Sequence, residues 1–398
     1  MVLRFDTFEL DMDRFELRQA GEPVRMEPQV FDVLAYLVVN RDRLVTKDEL
    51  LEKVWGDKYV SEAALNSRLM AARRAIGDNG REQRLIRTMH GRGFRFVGEA
   101  EESGEAQPGT TAPTPKPDLT PRLEQEVRFC TSFDGTRIAY GIMGEGPTLV
   151  KAPNWLTHLE YERESPVWRH WWEALGADHR VIRFDQRGSG LSDRAVEDLS
   201  FGAWLRDLEA VVDATGEEKF DLLGISQGGA VAIEYAVRHP ERVRKLVLYG
   251  VYTRGRIARG ESGEMFDATL TLMRGGWGRD NPAYRQMFTS QFMPGATSEQ
   301  MNWFNELQRI STSGETAARL QVVGSSIDIL ETLPKVQAPT LVLHAIGDER
   351  VPFNEGRTIA AMIPNARLVS LDSRNHLTLA DEPAWQKLIS EVRAFLAE

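Results

Sequence analysis

The chain lacks most of what marks a secreted or membrane protein. Its 398 residues include a single cysteine, Cys130, so no intramolecular disulfide can form, which fits a reducing cytoplasm. No apolar run approaches the roughly 20 residues that span a bilayer. The first dozen residues carry acids and contain no apolar signal core. These absences predict a cytoplasmic protein with no membrane partner. There is also no convincing internal repeat, and no metal or cofactor is expected.

What is present is a sizeable core and an uneven charge. Hydrophobic residues make up 42 % of the chain, enough to fill two or three domains at this length. The net charge of −10 hides a basic segment. Residues 61–98 hold eight arginines against three acids, whereas the chain beyond residue 98 is strongly acidic. A basic patch on an acidic protein points to a polyanion partner for that patch alone. Residues 100–121 contain five prolines and almost nothing apolar, so they read as a semi-extended linker. The expected organisation is a domain over residues 1–98, a linker over 99–122 and a second domain over 123–398.

The N-terminal part opens with short alternating segments around Leu3, Phe8, Phe15 and Val24, which predict a small antiparallel sheet. Pro28 then begins a helix with Val30, Leu34, Leu37 and Val38 on one face. Thr46 is placed to cap a second helix, with Glu49 completing a capping box. Ser61 is placed to cap a third, which ends at Gly77. A hairpin over residues 84–97 follows, turning at Gly91-Arg92-Gly93. Three helices and a basic hairpin give the winged-helix order. Phe31-Asp32-Val33-Leu34, Leu44-Val45-Thr46-Lys47-Asp48-Glu49-Leu50-Leu51 with Val54-Trp55, and Arg87-Thr88-Met89-His90-Gly91-Arg92-Gly93-Phe94-Arg95-Phe96 occur in order. On these residues the segment 27–97 closely resembles the OmpR-type winged-helix effector domain of response regulators. The resemblance implies that the third helix enters the major groove of double-stranded DNA. By family position Asn66, Ser67, Arg68, Met70 and Arg73 would lie on its exposed face, and Arg74 would reach phosphate. Thr88, His90 and Arg92 of the wing would touch phosphate or the minor groove. Taken without the motif, the same arginines would read as a solvated helix face. Met70, Ala71 and Ala72 stand where family members often carry basic residues, which favours binding as a homodimer on repeated half-sites.

The C-terminal part alternates strands and helices, the pattern of a parallel sheet covered on both faces. Residues 251–335 interrupt it with helix-rich, aromatic sequence that reads as an inserted cap. Gly224-Ile225-Ser226-Gln227-Gly228 follows an apolar strand and precedes a helical run, so Ser226 sits at a sharp strand-to-helix turn. Together with Asp134-Gly135-Thr136-Arg137, the run Phe184-Asp185-Gln186-Arg187-Gly188-Ser189-Gly190, Gly347-Asp348 and Asn375-His376, this resembles the α/β-hydrolase superfamily. The implied fold is a doubly wound, mostly parallel sheet with a helical cap. A serine hydroxyl needs a base, here His376, and the imidazole needs an acid to hold it, here Asp348. The backbone N–H of Gln227 is one oxyanion donor. The second comes from the turn after residues 148–152, where this chain has Pro153-Asn154-Trp155 in place of the family's usual His-Gly, leaving the Trp155 N–H to serve. Asp185, Arg187 and Asp193 read as a structural turn, the tryptophans at 168, 171 and 172 as core, and Cys130 as an edge-strand residue without a role. His158 is a candidate for the pocket mouth. Serine at the elbow, where dehalogenases and epoxide hydrolases place aspartate, permits ester, thioester, lactone or amide hydrolysis. The aromatic, Met-rich cap suggests an apolar or amphipathic small molecule.

Two functions remain open on this reading. One is a DNA-binding transcriptional regulator whose hydrolase domain senses or turns over a small ester-, lactone- or amide-containing ligand. The other is a serine hydrolase whose winged helix serves dimerisation or localisation.

Overall fold

The computed structural model describes residues 2–12, 15–19, 21–24, 26–55, 62–78, 82–89, 92–98, 100–102, 124–279 and 281–398. It divides into two compact units, Met1–Lys116 and Pro117–Glu398.

The first unit begins with β1 (Val2–Phe5), β2 (Phe8–Asp11), β3 (Glu16–Gln19) and β4 (Glu22–Val24), paired antiparallel in sequence order. Alternation buries Leu3, Phe5, Phe8, Leu10 and Leu17 on one face. Three helices follow: α1 (Pro28–Val39), α2 (Lys47–Trp55) and α3 (Glu62–Ala75). Phe31, Leu34 and Leu37 of α1 and Leu65, Leu69 and Ala72 of α3 join the sheet in one core. The wing is β5 (Ile86–Met89) with β6 (Gly93–Phe96). A further strand, β7 (Ala100–Glu102), pairs with β1. Those residues were expected to start the linker; instead they satisfy the open edge of β1. The linker expectation otherwise falls on residues 99 and 103–122, outside the described set. Ser61, the expected cap of the third helix, also lies outside it.

Thr46 does cap α2, accepting the amide of Glu49 at 3.2 Å. The Thr46 backbone bonds the Glu49 carboxylate in return, and that carboxylate also bonds Arg43 and the Tyr36 hydroxyl. Two charged residues stitch α3 to the wing. Asp78, just beyond α3, accepts the backbone amides of Arg84, Leu85 and Ile86, each at 2.9 Å. Arg73 donates to the carbonyl of Ile86 at 2.9 Å and to the hydroxyl of Thr88 at 2.8 Å. The wing is in turn fastened to the α1–α2 connection through reciprocal Val45–Phe94 backbone bonds of 2.9 and 2.8 Å. That crossing is so close that a Cβ on Gly93 would stand 2.1 Å from the Val45 carbonyl oxygen, so only glycine fits.

The second unit is built on an eight-stranded sheet, comprising β8 (Gln125–Thr131), β9 (Arg137–Met143), β10 (Thr148–Ala152), β11 (Arg180–Phe184), β12 (Phe220–Ile225), β13 (Val243–Tyr249), β14 (Thr340–Ala345) and β15 (Ala366–Leu371). Their spatial order is β15-β14-β13-β12-β10-β11-β9-β8, parallel except where β9 joins β11 and β8 joins β9. The helices α4 (Leu159–Arg163), α5 (Arg169–Gly176), α6 (Phe201–Thr215), α7 (Gln227–Arg238), α12 (Phe353–Met362) and α13 (Pro383–Ala397) belong to this layer structure. Between β13 and β14 come α8 (Gly263–Gly276), α9 (Ala283–Phe292), α10 (Ser298–Ser311) and α11 (Gly314–Ser326). Phe266, Trp277, Phe288 and Phe304 of this insertion are buried in the core of the unit. Its aromatic content therefore serves packing, which weakens the inference of an apolar ligand drawn from composition.

Arg187 is completely buried and forms a bidentate pair with Asp207, both bonds 2.7 Å, plus a 2.8 Å bond to Asp134. Asp185 accepts the amides of Leu159 and Leu191 at 3.1 and 2.8 Å. These contacts pin the turn after β11 to its neighbours. Trp168, Trp171 and Trp172 are buried, the first and last stacked at 5.5 Å.

Because Asp78 satisfies three backbone amides at once, two of them buried, Asp78→Ala is expected to destabilise the first unit by about 3 kcal/mol. Hydrogen-exchange mass spectrometry checks this: protection should fall across residues 84–96 and stay unchanged in β12.

Candidate active site and nucleic-acid interface

Ser226 has φ 52° and ψ −127° at the junction of β12 and α7. Few non-glycine residues adopt a positive φ, and such strain persists only where the surroundings enforce it. Here they do. A Cβ on Gly224 would meet the Cα of Gly229 at 2.5 Å, and one on Gly228 would meet the Pro153 carbonyl oxygen at 2.5 Å. Gly229 itself packs against Val251, where a Cβ would approach within 2.1 Å. The glycines let the helix start directly against the strand and against the loop after β10. Ser226 is thereby placed at the N-terminal end of α7, where the helix dipole favours developing negative charge.

Asp348 follows β14 and His376 follows β15. The Nδ1 of His376 lies 2.7 Å from Oδ2 of Asp348. The other oxygen, Oδ1, accepts the amides of Arg350 at 2.8 Å and Val351 at 2.9 Å. Burial alone would raise the Asp348 carboxyl; His376 and the Val351 amide outweigh it and hold the group below its ordinary value. An ionised Asp348 bonded to Nδ1 fixes the proton there and leaves Nε2 as the acceptor. That Nε2 is buried and has no hydrogen-bond partner among the described residues. The backbone of His376 is held by the cap: its amide donates to the Phe292 carbonyl at 2.8 Å, and the Phe292 ring stands edge-on to the imidazole at 5.5 Å. Asn375 adds a bond from the Gly295 amide at 2.9 Å.

Ser226, Gln227 and Trp155 line one cleft of about 400 Å³, open space at its mouth included. Gln227 opens α7, and its side chain donates to Gln186 at 3.1 Å. The Pro153-Asn154-Trp155 loop is braced from below. The buried ammonium of Lys151 bonds the Asn154 side chain, whose amide donates to the Trp155 carbonyl at 3.1 Å. Burial pushes Lys151 down to about 8. His158 is not at the cleft; it caps α4 by accepting the Tyr161 amide, and burial lowers its pKa. Most of the other lining residues were not anticipated from sequence: Tyr252, Arg256, Arg259, Gln321, Gly324, Ser325, Arg350 and Val351. Phe292, an aromatic residue of the cap, also lines the cleft, whereas Phe266, Trp277, Phe288 and Phe304 do not. Among the described residues no group of three His, Cys, Asp or Glu is arranged to hold a metal ion.

On α3 the structure brings some of the DNA-contact candidates together and removes others. Ser67 and Arg74 are exposed, as are Met70 and, in the wing, Arg92. Arg68 is half-buried and paired with Glu27 at 3.2 Å, with a further bond to Gln29. Arg73 is corrected: it is 4 % exposed, its guanidinium is consumed by Ile86 and Thr88, and burial lowers its pKa. Thr88 is half-buried beneath it. Asn66 lies on α3 with its side chain outside the described set, and His90 lies outside the described residues.

Two family models match the chain. "Transcriptional regulatory protein, C terminal" covers residues 21–96, and "alpha/beta hydrolase fold" covers residues 161–269. The pyrrolizixenacetamide deacetylase of Xenorhabdus hominickii is 29 % identical over 269 residues, 65 % of this chain and 94 % of that protein. RutD of Variovorax paradoxus (strain S110) is 30 % identical over 222 residues, 53 % of this chain and 79 % of that protein. Among solved structures, an esterase from Exiguobacterium antarcticum superposes with a TM-score of 0.58 at 23 % identity, covering 68 % of this chain and 99 % of that one, a likeness of fold. Among the described residues no helix is long and apolar enough to cross a membrane. The chain thus belongs to the α/β-hydrolase family, and it carries an OmpR-type winged-helix DNA-binding domain ahead of its hydrolase unit.

Proposed function

We propose that this protein is a cytoplasmic transcriptional regulator whose hydrolase unit binds and hydrolyses a small ester, lactone or amide, and so reports that compound to DNA. The observation that carries this reading is a regulatory DNA-binding domain on the same chain as a strained serine elbow and a buried His376–Asp348 pair with a free Nε2. In this mechanism Nε2 of His376 takes the Ser226 proton as Oγ attacks the carbonyl carbon. Asp348 stabilises the resulting imidazolium. The amides of Gln227 and Trp155 receive the oxyanion. The imidazolium returns its proton to the departing alkoxide or amine. Water, deprotonated by the same histidine, then cleaves the acyl-serine to the acid and frees the hydroxyl. A relative named for deacetylation supports acyl-transfer chemistry of this kind.

The DNA-binding half of the proposal rests on Ser67, Arg68 and Arg74 of α3 and Arg92 of the wing, with Thr88, Asn66 and His90 as further candidates. A homodimer on repeated half-sites compensates for the few cations on α3. Ligand control requires the compound to favour one of two states with different DNA affinity. A serine hydrolase that uses its winged helix only to dimerise or localise is the second reading, and the geometry of the His376–Asp348 pair is what favours it.

Three outcomes are expected. A fluorophosphonate probe should add one equivalent of mass to the parent and none to Ser226→Ala; an unlabelled, folded parent would remove the catalytic step. Asp348→Asn should lower kcat on any ester substrate roughly 10³- to 10⁴-fold while leaving the fold intact by circular dichroism. Arg74→Ala and Arg92→Ala should each weaken DNA binding uniformly across sequences and reduce the salt slope by about one. An anisotropy titration across salt concentrations reads this, and unchanged slopes would move the interface elsewhere.

A further inference from the structure

The cleft beside Ser226 is cationic. Arg256 and Arg259 enter it from the segment that leaves β13 for the cap, and Arg350 from the loop two residues past Asp348. All three are half-buried. Glu261 is paired with Arg256, and Glu355 and Glu261 offset the charge of Arg259 from outside ion-pair distance. Arg259 gives an N–H to the Arg254 carbonyl at 3.1 Å and faces the Tyr252 ring at 5.6 Å. Arg350 donates to Gln291 at 3.0 Å, reaches toward Gln321 at 3.5 Å and lies over the Phe292 ring at 5.1 Å. Among the described residues no carboxylate forms an ion pair with Arg259 or Arg350.

Guanidinium groups gathered in a half-buried site repel one another, and the repulsion grows as water is excluded. Burial first and Arg256 second push Arg350 down to about 10, and burial lowers Arg259. An anion entering the cleft would relieve this and would find planar donor pairs suited to a carboxylate. The remaining walls, Trp155, Tyr252, Phe292 and Val351, suit a short carbon chain.

We propose that the cleft selects an acyl compound bearing a separate carboxylate, which lies against Arg259 and Arg350 while the ester, lactone or amide carbonyl faces Ser226. This rests on the reading of Ser226 as the nucleophile, and it names the substrate class of that site. It narrows the apolar or amphipathic ligand suggested by composition to an anionic, amphipathic one.

Isothermal titration of full-length Ser226→Ala protein tests it, using the monomethyl esters of succinate, glutarate and adipate against the corresponding dimethyl esters. At least one half-ester should bind tenfold or more tightly than its diester, and added salt should weaken the half-ester alone. Arg350→Gln and Arg259→Gln should each reduce that preference severalfold, and Arg350→Lys should retain part of it. Equal affinity of half-esters and diesters, no binding by any of the three half-esters, or an undiminished preference in both glutamine variants at parental melting temperature would overturn the proposal. The catalytic reading fails separately: tight half-ester binding by a chain that never reacts with fluorophosphonate would keep the carboxylate site and discard hydrolysis.

Discussion

A serine with positive φ costs of order 1–3 kcal/mol of backbone strain, so Ser226 holds its conformation only because the packing around it leaves no other. That packing is the contact of α7 with β12, with the loop after β10 and with Val251. Each contact passes over a glycine at a distance that a side chain would forbid. The same contacts set the rest of the site. They bring Trp155 to the cleft, start α7 at Gln227, and put the exit of β13 beside the elbow, from which Arg256 and Arg259 follow. Relaxing the turn would therefore displace Ser226, the proposed oxyanion donors and part of the cationic wall together.

The second constraint is the attachment of the acid–base pair to the cap. Asp348 holds the His376 ring from the sheet side, and Phe292 holds its backbone from α9. Phe292 also lies under Arg350, whose amide in turn binds Asp348. A ligand that engages the Arg350 side chain thus touches a residue bonded to Asp348 and stacked on the ring beside His376. This gives a cap-bound molecule a physical route to the His376 loop through van der Waals and hydrogen-bond contacts.

Much of this was legible in the sequence, for identifiable reasons. Strand-ending loops carrying Ser, Asp and His in that order, and helices whose apolar residues recur at helical spacing, are local signals. The sheet core follows from them. Arg73 was misassigned although its spacing carried the answer: it falls four residues after Leu69 and three before Ile76, on the buried stripe of α3. What hid it was its charge, which is accommodated only because Ile86 and Thr88 arrive from the wing to accept its protons. The cleft arginines were invisible because their convergence is tertiary: residue 256 stands at the start of the cap insertion and residue 350 beyond its end.

Regulation of the DNA-binding module by an acyl compound at Ser226 requires the two sites to be energetically coupled. The most direct test is the affinity of the full chain for a duplex selected from random sequence. It would be measured by anisotropy at one salt concentration, before and after Ser226 is blocked with fluorophosphonate, with Ser226→Ala as the control. Coupling predicts a change of about tenfold or more in the parent, close to 1.4 kcal/mol, and none in the mutant. A selected duplex whose affinity is the same with Ser226 free or blocked would contradict it.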